Sequence, residues 1–160
     1  MKKLTRKNLG TLLKKKDAAF TFVETLAVLA VTAILTSQIG LAAHKMIQKA
    51  RISSAKTQIE QLKISLENYF ADCGTFPTEE QGLLALWEEP VLYPLAENWN
   101  GPYTDKKIQK DPWGSDFVYF LKDSVLAVDL PKGLPFGIVS LGADKAEGGD
   151  GDDKDIVSWE

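Results

Sequence analysis

From Phe20 to Ala43 the chain reads FTFVETLAVLAVTAILTSQIGLAA, 24 residues with no Lys, Arg or Asp and a single Glu. A helix of about 20 residues spans the hydrocarbon core of a bilayer, so this run is long enough to cross one with some tilt. Residues 1–19 hold seven Lys or Arg against one acid, Asp17, which leaves 12 basic and 21 acidic residues for the remainder. Lysines ahead of an apolar span stay cytoplasmic and place everything after Ala43 on the outer side. A basic start on an acidic body reads as a targeting segment joined to a domain with no attraction for nucleic acid.

An ordinary secretory signal has an apolar region of only about 7–15 residues and ends it at small residues. Here the small pair Ala18-Ala19 precedes the apolar run. Cleavage after Ala19 would therefore remove the basic leader, residues 1–19, and keep the hydrophobic helix, residues 20–43, on the mature chain. An uncleaved signal anchor is the other reading. Glu24 bears on the choice, because a carboxylate inside an apolar segment costs a few kcal/mol and normally has a partner. A new amino terminus at Phe20, four residues away, supplies one. In a bundle of such helices Glu24 of one copy would pair with the terminus of its neighbour and fix the axial register.

Ala19-Phe20-Thr21-Phe22-Val23-Glu24-Thr25-Leu26 resembles the processing motif of type IV pilins and pseudopilins. The resemblance implies that a prepilin peptidase cuts between Ala19 and Phe20 and methylates the Phe20 amino group. Those families usually have Gly before the cut, where this chain has Ala19. They often carry Pro about twenty residues into the mature helix, where this chain has Gly40-Leu41.

Beyond His44 the apolar rhythm continues as Ile52, Ala55, Ile59, Leu62, Leu66 and Tyr69, one stripe along a helix. The reading is one long helix from about Phe22 to Phe70, its outer part covering 44–71, with the stripe packed on a globular domain. Cys73-Gly74 and then Pro77 stop it. Residues 72–160 are loop-rich. Thr78 and Gln81 have the spacing of a capping box before a short helix. Asp111-Pro112-Trp113-Gly114-Ser115 signals a tight turn. Strands are expected at Phe117–Leu121, Val125–Leu130 and Phe136–Leu141. The fold class is thus α+β, a long N-terminal helix with a membrane half and an amphipathic half, packed on a small antiparallel sheet. Trp87, Trp99, Trp113 and Tyr103 are assigned to the packing of this domain.

Residues 144–155, DKAEGGDGDDKD, crowd six acids between an apolar run and Ile156-Val157-Ser158-Trp159. A solvated acidic tail is one reading. A hard dication held by oxygens is the other, with Gly148, Gly149 and Gly151 letting the backbone wrap. The loop does not match an EF-hand, and its single GGxGxD has no second copy to stack on.

The runs FPTEEQGLLALWEEP, WNGPY, DPWG and IVSLGADKAEGGDGDDKDI stand in the order found in the major pseudopilins of type II secretion systems, and the likeness covers essentially the whole chain. That resemblance implies a homopolymeric periplasmic filament. It grows from the inner membrane with minor pseudopilins and an assembly platform, and helps move folded proteins across the outer membrane. It also implies one structural Ca²⁺ in the C-terminal loop. Asp144 and Asp153 lead as side-chain ligands, with Asp152 and Asp155 next and the Leu141 carbonyl as a backbone candidate. Lys145 and Lys154 stand where that family has Gly and Ala.

With Cys73 and His44 each the only residue of its type, no intrachain disulfide can form and no nucleophile–base set presents itself. Cys73 reads as a buried, inert thiol. Beside the secretion filament stand a type IV pilus or DNA-uptake subunit, which often staples its C-terminal region with a disulfide, and a signal-anchored periplasmic enzyme or calcium-binding protein.

Overall fold

The computed structural model describes residues 20–160, without the side chains of residues 38–42. Helix α1 covers Phe22–Cys73. The boundary between two compact units of the chain falls after Ala43, and each unit has its own character.

In the first unit, residues 22–37 form a helix exposed on every face, Phe22, Val23, Leu29 and Ile34 included. Its hydroxyls turn inward on their own backbone. Thr32 Oγ1 donates to the Val28 carbonyl at 2.9 Å, Thr36 Oγ1 to Thr32 at 2.7 Å and Ser37 Oγ to Ile34 at 2.8 Å. The segment thus offers apolar surface all round with its polar side chains satisfied from within. Among the described residues no helix is long and apolar enough to cross a membrane.

The second unit, His44–Glu160, contains the core. The expected stripe is the buried face of α1: Ala55, Ile59, Leu62, Leu66 and Tyr69 are buried and Ile52 packs against them. Gly74 ends the helix at φ +73, its N–H donating to the Phe70 carbonyl at 2.8 Å. A left-handed residue there closes the last turn at low cost only for glycine. Phe76 then lies between Phe70 and Phe136, at centroid distances of 4.7 and 5.0 Å.

Three strands make one antiparallel sheet in the order β1-β2-β3. β1 is Val118–Leu121, β2 is Phe136–Ser140 and β3 is Ile156–Val157. Val118 pairs with Val139, and Ser140 with Ile156. The expected strand at Val125–Leu130 does not form. Ser124 Oγ accepts the Leu126 N–H, the Ala127 N–H goes back to the Ser124 carbonyl, and Ala127–Asp129 is a 3-10 turn. Local hydroxyl bonding followed by Pro131 outcompetes a ladder that has no partner strand. The third strand is instead the dipeptide after the acidic loop. The short helix expected after Thr78 is a 3-10 turn, Leu83–Leu86, that begins only after Gly82. The capping box is nonetheless present, Gln81 N to Thr78 Oγ1 at 3.2 Å and Thr78 N to Gln81 Oε1 at 3.0 Å.

Of the aromatics assigned to packing, Trp99, Trp113 and Tyr103 lie against the core, while Trp87 is half-buried outside it. Trp99 donates its ring N–H to the Ala85 carbonyl at 2.9 Å and meets Tyr103 edge-on at 5.8 Å. Gly101 lies under the Trp99 ring, where a Cβ would have no room. Tyr119 donates to the Pro77 carbonyl at 2.8 Å from within the core. Burial pushes the Tyr69 phenol from 10.0 up to about 12 and moves those of Tyr103 and Tyr119 upward too. Cys73, expected to be buried, is a free, half-buried thiol, and burial raises its pKa, which favours the protonated form.

Candidate functional site

Two places carry the residues singled out by the sequence. The first is the start of α1. Ala19 lies outside the described residues; Phe20 is exposed and precedes the helix. Thr21 caps α1, its Oγ1 accepting the Glu24 N–H at 3.2 Å. Glu24 Oε2 reaches back to the Thr21 N–H at 3.3 Å and lies 3.4 Å from its hydroxyl. This is a capping box, Thr-x-x-Glu, which the reading of Glu24 as a partner for an amino terminus passed over although the spacing signals it. Glu24 therefore has a local partner as well as a favourable place in the first turn, where the helix dipole welcomes a negative charge. Both bonds from Thr21 fall on Oε2.

The second is the acidic loop after β2. Gly148 and Asp155 close it reciprocally, Gly148 N to Asp155 Oδ2 at 2.9 Å and Asp155 N to the Gly148 carbonyl at 3.2 Å. Gly149, at φ +84, passes so near the Asp153 carbonyl that a Cβ would stand 2.5 Å from its oxygen. Gly142, at φ +65, faces the same oxygen and that of Lys154, each 3.1 Å from where its Cβ would be. Glycine is needed at both positions for backbone angle and for space. Gly151–Asp153 makes a 3-10 turn between Gly149 and Asp155.

Asp144 accepts the Ala146 N–H at 3.2 Å in a local turn, and the Asp144, Asp152 and Asp153 side chains are exposed. Among the described residues no three His, Cys, Asp or Glu side chains are grouped to hold a metal, so the expected carboxylates do not converge as a set. Asp155 differs from the others. Its Oδ1 is buried and has no hydrogen-bond partner. A buried carboxylate oxygen left unpaired is costly, and a hydrogen-bond donor or a cation relieves it. The chemistry at this point, a buried carboxylate oxygen with no donor, fits a hard oxygen-seeking ion. Lys154, the added positive charge in the loop, turns its ammonium to both Glu160 oxygens at 2.9 and 2.8 Å, holding the Glu160 carboxyl below its ordinary range.

Known proteins supply the rest. Residues 43–159 match the family model described as type II secretion system (T2SS), protein G. A type II secretion system core protein G of Pseudomonas aeruginosa is 32% identical over 147 residues, covering 92% of this chain and 98% of that protein. One of Escherichia coli K12 is 34% identical over 146 residues, covering 90% and 92%. The crystal structure of the major pseudopilin from the type 2 secretion system of enterohaemorrhagic E. coli matches with a TM-score of 0.58 at 27% identity, over 74% of this chain and 93% of that one. The long helix on a three-stranded antiparallel sheet is thus the pseudopilin fold, and the chain belongs to the type II secretion system protein G family.

Proposed function

We infer that this chain polymerises through its N-terminal helix into the type II secretion pseudopilus, as the major structural subunit and not as an enzyme. The observation that carries the mechanism is the helical segment 22–37, apolar and exposed on every face, with Glu24 in its first turn. Such a surface is stable only against lipid or against like helices. It serves both in turn, holding the subunit in the inner membrane with residues 44–160 in the periplasm, then packing in the filament. Cleavage between Ala19 and Phe20 by a prepilin peptidase, with methylation of Phe20, leaves an amino terminus that pairs with Glu24 of a neighbouring copy. Minor pseudopilins and an inner-membrane assembly platform are the other partners. The family match favours this filament over a type IV pilus or a DNA-uptake filament.

In this reading the acidic loop holds one Ca²⁺. Asp155 supplies the buried oxygen that wants a cation, with Asp144, Asp152, Asp153 and the Leu141 carbonyl as the further ligands. The ion supplies oxygen-bound charge that staples a small domain lacking disulfides. Residues 44–160 should melt at lower temperature in EDTA and recover with added Ca²⁺; an unchanged melting temperature would remove calcium from the account.

For assembly the test is Glu24→Ala in cells that carry the secretion apparatus. The variant should still fractionate with membranes while pelletable filaments and secretion are lost. Filaments at the wild-type level would sink the role given to Glu24.

A further inference from the structure

The second unit exposes an apolar loop that its own fold holds in place. Gln81, buried, donates through its amide nitrogen to the Leu92 and Pro94 carbonyls at 2.8 and 2.7 Å. Two main-chain carbonyls are thereby drawn inward, while Val91 and Tyr93 stand 87% and 88% exposed and Leu95 is exposed beside them. A fixed backbone presenting alternate apolar side chains is already ordered for contact, so little entropy remains to be lost on binding. The rim is acidic: Glu88, Glu89 and Glu97 flank the loop, and only Glu88 is in an ion pair among the described residues, with Lys107 at 3.7 Å.

On α1 just beyond Ala43 the pattern is reversed in sign. Met46 is 71% exposed and Ile47 is exposed beside it, with Ala50 one turn on from Met46. Lys45, Lys49 and Arg51 surround them, and no acid occurs from His44 to Ile59. None of the three cations is in an ion pair among the described residues.

Neither surface can pair with itself, because like-charged rims would face each other. Each complements the other. A contact between two different patches on identical chains is heterologous, and it propagates as an open filament unless the rotation closes a ring. We propose that the loop 88–97 of one copy docks on the helix face 45–51 of a second copy, apolar side chains at the centre and acidic against basic at the rim. This rests on the filament reading above and names one of its subunit contacts.

The test uses the full chain in cells that assemble filaments, with Cys73→Ser as background. One copy carries Tyr93→Cys and a co-expressed copy carries Met46→Cys. Oxidation should give a disulfide-linked dimer only when both are present, and Glu24→Ala should abolish it. Separately, Glu89→Lys with Glu97→Lys should lower filament yield about tenfold, and adding Lys49→Glu with Arg51→Glu should restore it. Wild-type yield from the reversed loop, or filaments without the cross-link, overturns the contact and leaves the filament reading standing. A cross-link to another protein instead of a second copy also overturns it. Absence of filaments from the unmodified chain overturns both.

Discussion

Replacing Asp111 by Ala should be among the most damaging single changes outside the apolar core. Asp111 is 4% exposed and its carboxylate is fully occupied. Oδ1 accepts the Trp113 and Ser115 N–H groups at 3.0 and 2.7 Å, and Oδ2 accepts the hydroxyl of Ser140, itself 0% exposed, at 2.7 Å. One side chain therefore folds the DPWGS turn and ties it to β2. Alanine strands three donors, of which the Ser140 hydroxyl has no route to water. Each orphaned buried donor costs about 1–3 kcal/mol, but the two turn amides are only partly buried. Taking the lower bound for each of them and the middle of the range for Ser140 gives a loss of about 4 kcal/mol. At about 3 °C per kcal/mol for a domain of this size, the midpoint should fall by about 12 °C. Thermal melting of residues 44–160 reads this directly. Ser140→Ala alone should cost less, about 2 kcal/mol, since both turn amides keep Oδ1 and only the Asp111 Oδ2 loses its partner. Asp116→Ala, whose carboxylate is exposed and 3.5 Å from Lys110, serves as the surface control. If Asp111→Ala melts within a degree or two of that control, the reasoning about this turn is wrong.

Three further outcomes follow from the same packing. Tyr69, Tyr103 and Tyr119 are held neutral by burial, with folded pKa values above the ordinary one and that of Tyr69 at about 12. Their contribution to stability is complete below about pH 10 and is lost as pH rises through the folded values, so in a Tyr93→Phe background, which removes the exposed tyrosine, tyrosinate absorbance should appear together with unfolding and not before it. Gly137 faces Phe120 and Trp159, whose rings lie 2.5 and 2.9 Å from where a Cβ would be; Gly137→Ala should cost about 1–3 kcal/mol by overpacking, and a neutral result in denaturant titration would mean the C-terminal tryptophan is not held there. Asp155→Asn should lower the melting temperature in Ca²⁺ and make it insensitive to EDTA, whereas a variant that still responds to the chelator would move the ion elsewhere in the loop.

The elements legible from sequence are those in which one local rule acts alone. The α1 stripe is buried as its spacing requires, and Gly74 stops the helix because φ +73 suits no other residue as well. Phe117–Leu121 and Phe136–Leu141 are recognisable because they are apolar, short and bounded by turns. Val125–Leu130 has the same composition but no neighbour to pair with, and composition carries no information about pairing. Ile156–Val157 shows the converse, a strand of two residues made only by the ladder that β2 offers. At the acidic loop the glycines and the crowding of charge were visible. Which carboxylate is buried was not: Asp155 is set apart by its exchange of hydrogen bonds with Gly148, seven residues back, and no periodicity encodes that.

The helix start leads to a prediction about how Glu24 does its work. In the proposed filament Glu24 must meet a neighbour's amino group while surrounded by apolar side chains, where any freedom of its carboxylate weakens the pairing. The Thr21 capping box fixes that carboxylate through Oε2, and Oε1 makes no hydrogen bond among the described residues. One oxygen is thus committed to the subunit's own helix while the other is left for a neighbour. Thr21→Ala removes the hydroxyl that caps α1, at a cost of about 1 kcal/mol, and leaves Glu24 its charge and the Thr21 N–H but not the hydroxyl contacts that complete its orientation. Filament yield should fall about fivefold, the equivalent of that energy, and Thr21→Ser should restore most of it. Membrane fractionation and the melting temperature of residues 44–160 should be unmoved, because Thr21 lies outside that unit. A Thr21→Ala chain that assembles as well as wild type would mean that charge alone, without orientation, is what Glu24 contributes.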